Sequence, residues 1–296
     1  MPVLEFNEIW AYVVAGRESA LTADLPITDI GYFGAEIDSY GKLTDVPRRS
    51  SLNFKGKVHL VVACNGRALT YFTLLPGSSE RRTLIADLLE ATRNYDGLQI
   101  DFENVPARSG DAYLSFIREL RNGLPRDKML TVALAARTRR ISDDVYDYEK
   151  ILPYVDRILV MAYDEHWSGS RPGSVASLDW CRNVADYSYR TIGREKLIMG
   201  LPFYGRTWGD YNPSRATVYT TTEGIILDNN VSDVRYENGI PTFDYSKNVS
   251  VKVYFEDEHS LVNRMQMYKN MNIRAVGFWR LGQETTEVWK YLQLPQ

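Results

Sequence analysis

The sequence is poor in the groups that metal, redox and disulfide chemistry draw on. Cys64 and Cys181 are its only cysteines, one in an apolar strand-like run and one in a helix-like run. They read as two buried free thiols rather than as a disulfide or a metal pair. His59, His166 and His259 are the only histidines, and their scatter makes no metal-ligand spacing, so no metal is expected. No Gly-rich phosphate loop follows any strand-like run, which counts against a nucleotide-binding sheet and leaves no cofactor to expect. The formal net charge of −3 gives no basic footprint for nucleic acid. No apolar run reaches the roughly 20 residues of a membrane span. The opening Met-Pro-Val-Leu-Glu-Phe has neither the basic nor the apolar segment of a signal peptide. Internal repeats and low-complexity segments are also missing.

What is present is an ordinary globular composition, 44% hydrophobic and 25% charged, with one unusual surplus. Aromatics reach 12%, including 20 tyrosines and 6 tryptophans. Core packing and surface tyrosines account for most of them, and the excess suits a protein that stacks on flat apolar ring faces.

Strand-like and helix-like segments alternate through most of the 296 residues. The spacing predicts strands at Ile9–Val14, Asp29–Ile37, Val58–Cys64, Tyr95–Glu103, Leu130–Ala136, Arg157–Tyr163, Lys196–Phe203 and Ala275–Leu281. Helices fit Arg81–Tyr95, Asp111–Asn122, Val145–Leu152, Ala176–Thr191, Leu261–Met271 and Thr286–Leu292. Too few residues separate the first two strands for a helix with two loops, and Ser39–Lys57 shows no helical period, so the early helical layer is reduced. Eight strands in one domain favour a closed α/β (β/α)8 TIM barrel over a doubly wound sheet. A polar, turn-rich stretch at about Tyr211–Asn248, between the seventh strand and its helix, reads as a small inserted α+β subdomain of the single domain 1–296.

The fourth strand carries the strongest chemical signal. Leu98, Ile100 and Phe102 alternate with Gln99, Asp101 and Glu103, so period two places the polar three on one face. Strands of a parallel sheet are buried on both faces. Two acids pointing together into such a space are costly unless they are used. Chemistry in these barrels sits at the C-terminal strand ends. There the sixth strand brings Met161, Tyr163 and Asp164, the seventh Tyr204 and Arg206, and the eighth Trp279. Each has a plainer reading: Asp101 as a satisfied core carboxylate, Tyr163 as barrel filling, Asp164 as a loop cap, Arg206 as an ion-pair partner, Trp279 as core. Together they would suit a sugar-cleaving site, with one acid to protonate a leaving oxygen and a tryptophan floor under a pyranose.

The run Asp96-Gly97-Leu98-Gln99-Ile100-Asp101-Phe102-Glu103 resembles the DGxDxDxE signature of glycoside hydrolase family 18, the chitinase family. Met161-Ala162-Tyr163-Asp164 is similar to its strand-six motif, Gly200-Leu201-Pro202-Phe203-Tyr204-Gly205-Arg206 to its strand-seven motif, and Trp279 to its strand-eight tryptophan. The resemblance covers almost the whole chain. The run from Tyr163 to Ser170 resembles the branch of bacterial spore-cortex and cell-wall N-acetylglucosaminidases, without that branch's common LysM module.

The resemblance implies that Glu103 is the general acid and then the base for water. It implies that Asp101 orients the substrate's 2-acetamido group, which serves as the nucleophile. Tyr163 would bond the acetamide, Asp164 would contact the same sugar and Trp279 would support its ring. Met161, Arg206, Gln99 and Tyr204 join them as substrate-binding candidates. The implied partner is an oligo- or polysaccharide containing N-acetylglucosamine; chitin, peptidoglycan and glycoprotein glycans all supply one. One position departs from the pattern: Gln99 replaces the inner aspartate that shares a proton with the next carboxylate, and so removes a negative charge near Glu103. A catalytically silent glycan-binding barrel is the alternative. Such proteins usually lose the acid, and Glu103 is retained.

Overall fold

The computed structural model describes residues 1–296 except 65, 211–213 and 247–249, and except the side chains of 67 and 68. Eight parallel strands close into a barrel: β1 Glu8–Val14, β2 Asp29–Ile37, β3 Lys57–Ala63, β4 Gly97–Asp101, β5 Met129–Ala135, β6 Arg157–Met161, β7 Leu197–Pro202 and β8 Ala275–Trp279. Closure is made by β8, which pairs with β7 on one side and β1 on the other.

The alternation in β4 does what its period requires. Leu98, Ile100 and Phe102 pack outward with the helices, while Gln99 and Asp101 point into the barrel. Phe102 stacks on Phe116 with centroids 5.7 Å apart. Phe116 belongs to helix α3, Gly110–Gly123, which buries Tyr113, Phe116, Ile117 and Leu120 at helical spacing.

Helices alternate with strands less regularly at the start. After β1 there is only a 3-10 turn, Glu18–Ala20. After β2 a two-residue strand, Leu43–Thr44, folds back antiparallel on Glu36 and Ile37. Where the periodicity suggests one helix beyond β3 there are two, α1 Arg67–Leu74 and α2 Ser79–Thr92. They are divided at Pro76-Gly77, where Gly77 takes φ 78°, and α2 is capped by the Ser78 hydroxyl accepting from Arg81 N. The helix read over Val145–Leu152 shrinks to Tyr148–Ile151, because the Asp147 side chain caps its start by accepting from Glu149 N and Lys150 N, and the chain continues through Pro153 as a 3-10 turn. The terminal segment Thr286–Tyr291 is 3-10 rather than α. None of the helices among the described residues is long and apolar enough to cross a membrane.

Beyond β7 a five-stranded antiparallel sheet runs from Tyr204–Gly209 to Ser250–Tyr254, with the helix Tyr219–Asp228 beside it. Residues 211 and 248, the bounds that sequence suggests for the insertion, lie outside the described residues, but its first strand starts at Tyr204. The apolar run Leu201–Tyr204 gives no sign of that change of sheet, since β7 and the new strand follow each other within two residues.

The barrel's lower interior is filled and largely paired. Trp10 stacks on His59 with centroids 4.3 Å apart and donates from its indole N–H to Glu8, which also takes the Arg157 guanidinium. His59 Nε2 meets Asp29 at 2.8 Å. Gly97 is required here: a Cβ would meet His59 Nδ1 at 2.5 Å and Met129 O at 2.6 Å. These side chains fill the lower barrel, and the cleft described below lies at the C-terminal strand ends. Cys64 and Cys181 are both buried and free.

Candidate active site

Climbing the barrel from its base, each polar side chain meets the next. Gln99 is wholly buried; its Nε2 donates to Thr131 Oγ1 at 3.1 Å and its Oε1 accepts from the Tyr12 hydroxyl. One step higher, Asp101 Oδ1 is buried with no hydrogen-bond partner. A buried carboxylate oxygen left unpaired is costly, and such orphans gather where a ligand is meant to complete them.

Asp101 lies at the foot of a cleft of about 380 Å3 lined by Phe33, Glu103, Ala135, Ala136, Met161, Tyr163, Asp164, Trp180, Tyr204 and Trp279. Burial, reinforced by the neighbouring Glu103, pushes the Asp101 carboxyl up to about 8. Glu103 stands past the strand end on the open rim of the cleft. Its carboxyl is also raised, first by the protein around it and then by Asp164. The turn that carries Glu103 is clamped from another loop: the Tyr146 hydroxyl donates to Phe102 O at 2.5 Å and accepts from Val105 N at 3.1 Å.

The opposite wall comes from β6 and the inserted sheet. Tyr163 is half-buried, its hydroxyl held well above the usual range by burial, and its ring meets Tyr204 edge-on at 6.2 Å. Gly200 makes room for it, since a Cβ there would lie 3.1 Å from the Tyr163 ring. Asp164 adopts φ 56°, a left-handed conformation that aspartate tolerates better than most residues. This turn sends Asp164 Oδ1 to the Tyr204 hydroxyl at 2.8 Å and to Arg206 Nη2 at 2.8 Å and Nε at 3.1 Å. The Asp164 side chain remains 41% exposed. On the third side, the half-buried Trp279 leans on Tyr12 and Phe33, at centroid distances of 5.3 and 5.2 Å. The Trp279–Arg280 peptide is cis.

The structure thus brings seven of the nine residues expected from sequence to one cleft: Asp101, Glu103, Met161, Tyr163, Asp164, Tyr204 and Trp279. Arg206 lies behind the wall as the ion-pair partner of Asp164. Gln99 does not reach the cleft surface: the straight strand puts its side chain one layer, two residues, below Asp101. Phe33, Trp180 and the clamping Tyr146 were not visible from sequence. An aromatic in a strand or helix gives no local sign of facing a cavity, although the position of Phe33 in the second half of β2 could have suggested it.

A parallel barrel whose open end gathers paired carboxylates, tyrosines and a tryptophan floor belongs to the class of glycan-cleaving TIM barrels. The match to the family model described as glycosyl hydrolases family 18 spans residues 20–284, and the chain belongs to that family. Among relatives, the chain is 31% identical over 215 residues to the uncharacterized glycosylase YvbX of Bacillus subtilis, covering 69% of this chain and 62% of the relative. It is 28% identical over 235 residues to the cortical fragment-lytic enzyme of Bacillus subtilis, covering 74% of this chain and 54% of the relative. The chain thus spans between about half and two thirds of these relatives' length. Among solved structures, the Bacillus cereus spore cortex-lytic enzyme SleL superposes with a TM-score of 0.87 at 21% identity, over all of this chain and 76% of that one.

Proposed function

We propose that the chain is a retaining hydrolase of β-1,4-linked glycans containing N-acetylglucosamine, of the peptidoglycan or chitin type, and that the substrate's own acetamide is the nucleophile. The observation that carries this is the state of the three carboxyl groups in the cleft. Asp164 is held by Arg206 and the Tyr204 hydroxyl, and Asp101 is buried beside Glu103 with its carboxyl raised to about 8. Asp101 and Glu103 are neighbours at one strand end, and the carboxyl group on the opposite wall is already committed to Arg206 and Tyr204, so the two-carboxylate retaining mechanism finds no uncommitted nucleophile across the cleft. The acetamide oxygen can take that place.

Burial and mutual repulsion oppose ionising Asp101 and Glu103 together, so the pair keeps a proton at neutral pH. Delivered through Glu103 to the glycosidic oxygen, that proton leaves as the leaving group's hydroxyl, and the acetamide oxygen closes on C1 as the C1–O bond breaks. Asp101, ionised at that point, accepts from the acetamide N–H and faces the positive oxazolinium. Tyr163 donates to the acetamide oxygen and orients it. Glu103 then takes a proton from water, which adds to C1 from the face the leaving group left, giving retention. The second Asp164 oxygen accepts from a hydroxyl of the same sugar, whose ring rests on Trp279. The cortex-lytic relatives favour peptidoglycan as the source of that sugar.

The test is the acetamide itself. Chito-oligosaccharides and purified peptidoglycan strands should be cleaved at acetylated sugars, with deacetylated counterparts hydrolysed at least about a hundredfold more slowly, since the nucleophile is missing. A thiazoline analogue of the intermediate should inhibit. Products read by mass spectrometry decide it; equal cleavage of the two forms would sink the substrate-assisted mechanism. Separately, Trp279→Ala in a Glu103→Gln background should weaken oligosaccharide binding roughly tenfold, because the stacking face is lost. Unchanged affinity in calorimetry would return Trp279 to a packing role.

A further inference from the structure

Asp101, Tyr163, Asp164 and Trp279 account for one sugar, yet the cleft has a wall that this sugar does not use. Going round the barrel from Glu103, just past the end of β4, the next strand brings Ala135 and Ala136. Its neighbour β6 brings Met161, which pairs with Ala135. Beyond Met161 the wall is Trp180, near the start of the helix Leu178–Ile192. Trp279 and Phe33 stand on the other side, on β8 and β2, which flank β1. The two alanines carry no more than a methyl each, so the wall past Glu103 is a low step ending in an indole.

Trp180 is half-buried: part of it packs on the main apolar core and part lines the cleft. The start of its helix is tied down on three sides. Ser177 N donates to Glu165 Oε2 at 2.8 Å, Leu178 N to Asn238 O in a turn of the inserted sheet at 3.2 Å, and the Cys181 thiol to Ala162 O at 3.6 Å. Burial pushes that thiol up to about 12, so it remains a donor. Ala162 lies between Met161 and Tyr163, and the contact fixes the helix start against the strand end that carries Tyr163. The indole N–H of Trp180 is the informative atom. Trp10 and Trp289 donate theirs to Glu8 and Glu284, and that of Trp208 is buried with no partner. The Trp180 N–H has no partner among the described residues and is not buried. A buried indole usually finds its N–H a partner; this one is a firmly held ring on the cleft with its donor unused.

We propose that Trp180 is the platform for the leaving sugar, the ring on the far side of Glu103 from the one over Trp279. A pyranose has an apolar C–H face that packs on an indole, and its hydroxyls or acetamide carbonyl can accept from the N–H. The step at Ala135 and Ala136 leaves the space in which that ring lies. Glu103 stands between the two walls, so a sugar held on Trp180 keeps the bond to be cleaved beside the acid. This inference rests on the reading of the chain as a hydrolase of N-acetylglucosamine-containing glycans and adds the residue that grips the leaving half.

The experiment measures binding to the Glu103→Gln protein by calorimetry. One probe is fully acetylated chitotetraose, which spans the cleaved bond. The others are the thiazolines of N-acetylglucosamine and of its β-1,4 disaccharide, whose rings all lie on the Trp279 side of that bond. Adding Trp180→Ala should weaken chitotetraose roughly tenfold and the thiazolines less than about twofold. Trp180→Phe should weaken chitotetraose by about threefold, since a ring remains and the N–H is gone. This second variant keeps the packing and decides the question should the alanine variant fail to fold. Trp279→Ala should weaken all the probes. Unchanged chitotetraose affinity in the folded Trp180 variants would overturn the proposal. So would an equal loss for chitotetraose and the thiazolines, because Trp180 would then serve the sugar over Trp279 or only hold the wall. The two readings fail separately. Thiazoline binding and hydrolysis by the parent protein, with no dependence of chitotetraose on Trp180, defeat the platform and leave the proposed function standing. No hydrolysis and no thiazoline binding, with chitotetraose still dependent on Trp180, defeat the proposed function and leave Trp180 as a sugar platform. Binding of none of the probes overturns both.

Discussion

Glu103→Gln should lower kcat by about two to four orders of magnitude while leaving oligosaccharide affinity within a few-fold of the parent. The amide keeps the shape of the carboxyl on its clamped turn but has no proton to transfer to the glycosidic oxygen. Nor can it take one from water, so both halves of the proposed reaction would lose their proton carrier. The substitution also removes the second cause of the raised Asp101 carboxyl, the neighbouring charge, and leaves burial as the first. Steady-state rates with chito-oligosaccharide, paired with calorimetry on the variant, check both parts. A variant turning over at near-parental rate would move the acid elsewhere in the cleft.

Asp101→Asn should move activity and stability in opposite directions. The rate should fall by about two orders of magnitude or more, because in the proposed mechanism the charge that would face the oxazolinium is gone. Stability should rise, and the sign follows from the proton count. The native carboxyl holds its proton up to about pH 8, whereas in the unfolded chain it ionises near its ordinary pKa of about 4. Between those limits the native state binds more protons than the unfolded one, so the stability linked to Asp101 is full below about pH 4 and is lost as pH rises to about 8. Asparagine does not titrate. Its advantage should therefore grow by up to about 1.4 kcal/mol per pH unit through this window and level off above it. Urea unfolding of both proteins at a series of pH values reads this directly. An advantage that does not change with pH would mean that Asp101 is ionised in the native protein and that the pair keeps no proton for Glu103 to deliver.

These expectations lean on a site only partly legible in the sequence. The eight strands, their order and the inward face of β4 could be read because each depends on residues a few positions apart. Alternation of period two, apolar runs between turn signals and a proline or glycine stop are local properties, and the closed barrel needs little else to assemble them. The same local information placed Asp101, Glu103, Tyr163 and Trp279 at strand ends, where a barrel collects its chemistry.

Tertiary structure decided how those residues are held. The alternation put Gln99 on the inner face but could not say how deep: only the packed barrel shows its amide spent on Tyr12 and Thr131, a layer beneath the cleft. Tyr204 and Arg206 looked like the end of β7 and are instead the first strand of the inserted sheet, reaching back some 40 positions to hold Asp164. Tyr146 clamps the Glu103 turn across a similar separation, and the loop after β8 meets the end of β1 because closure makes the first and last strands neighbours. None of these contacts has a period or a spacing that sequence could reveal. The sequence by itself determined which chemical groups arrive at the open end of the barrel. Which of them face the substrate, and which carboxyl groups are neutralised or left raised, was decided by closure, since burial and long-range pairing exist only once the chain has folded.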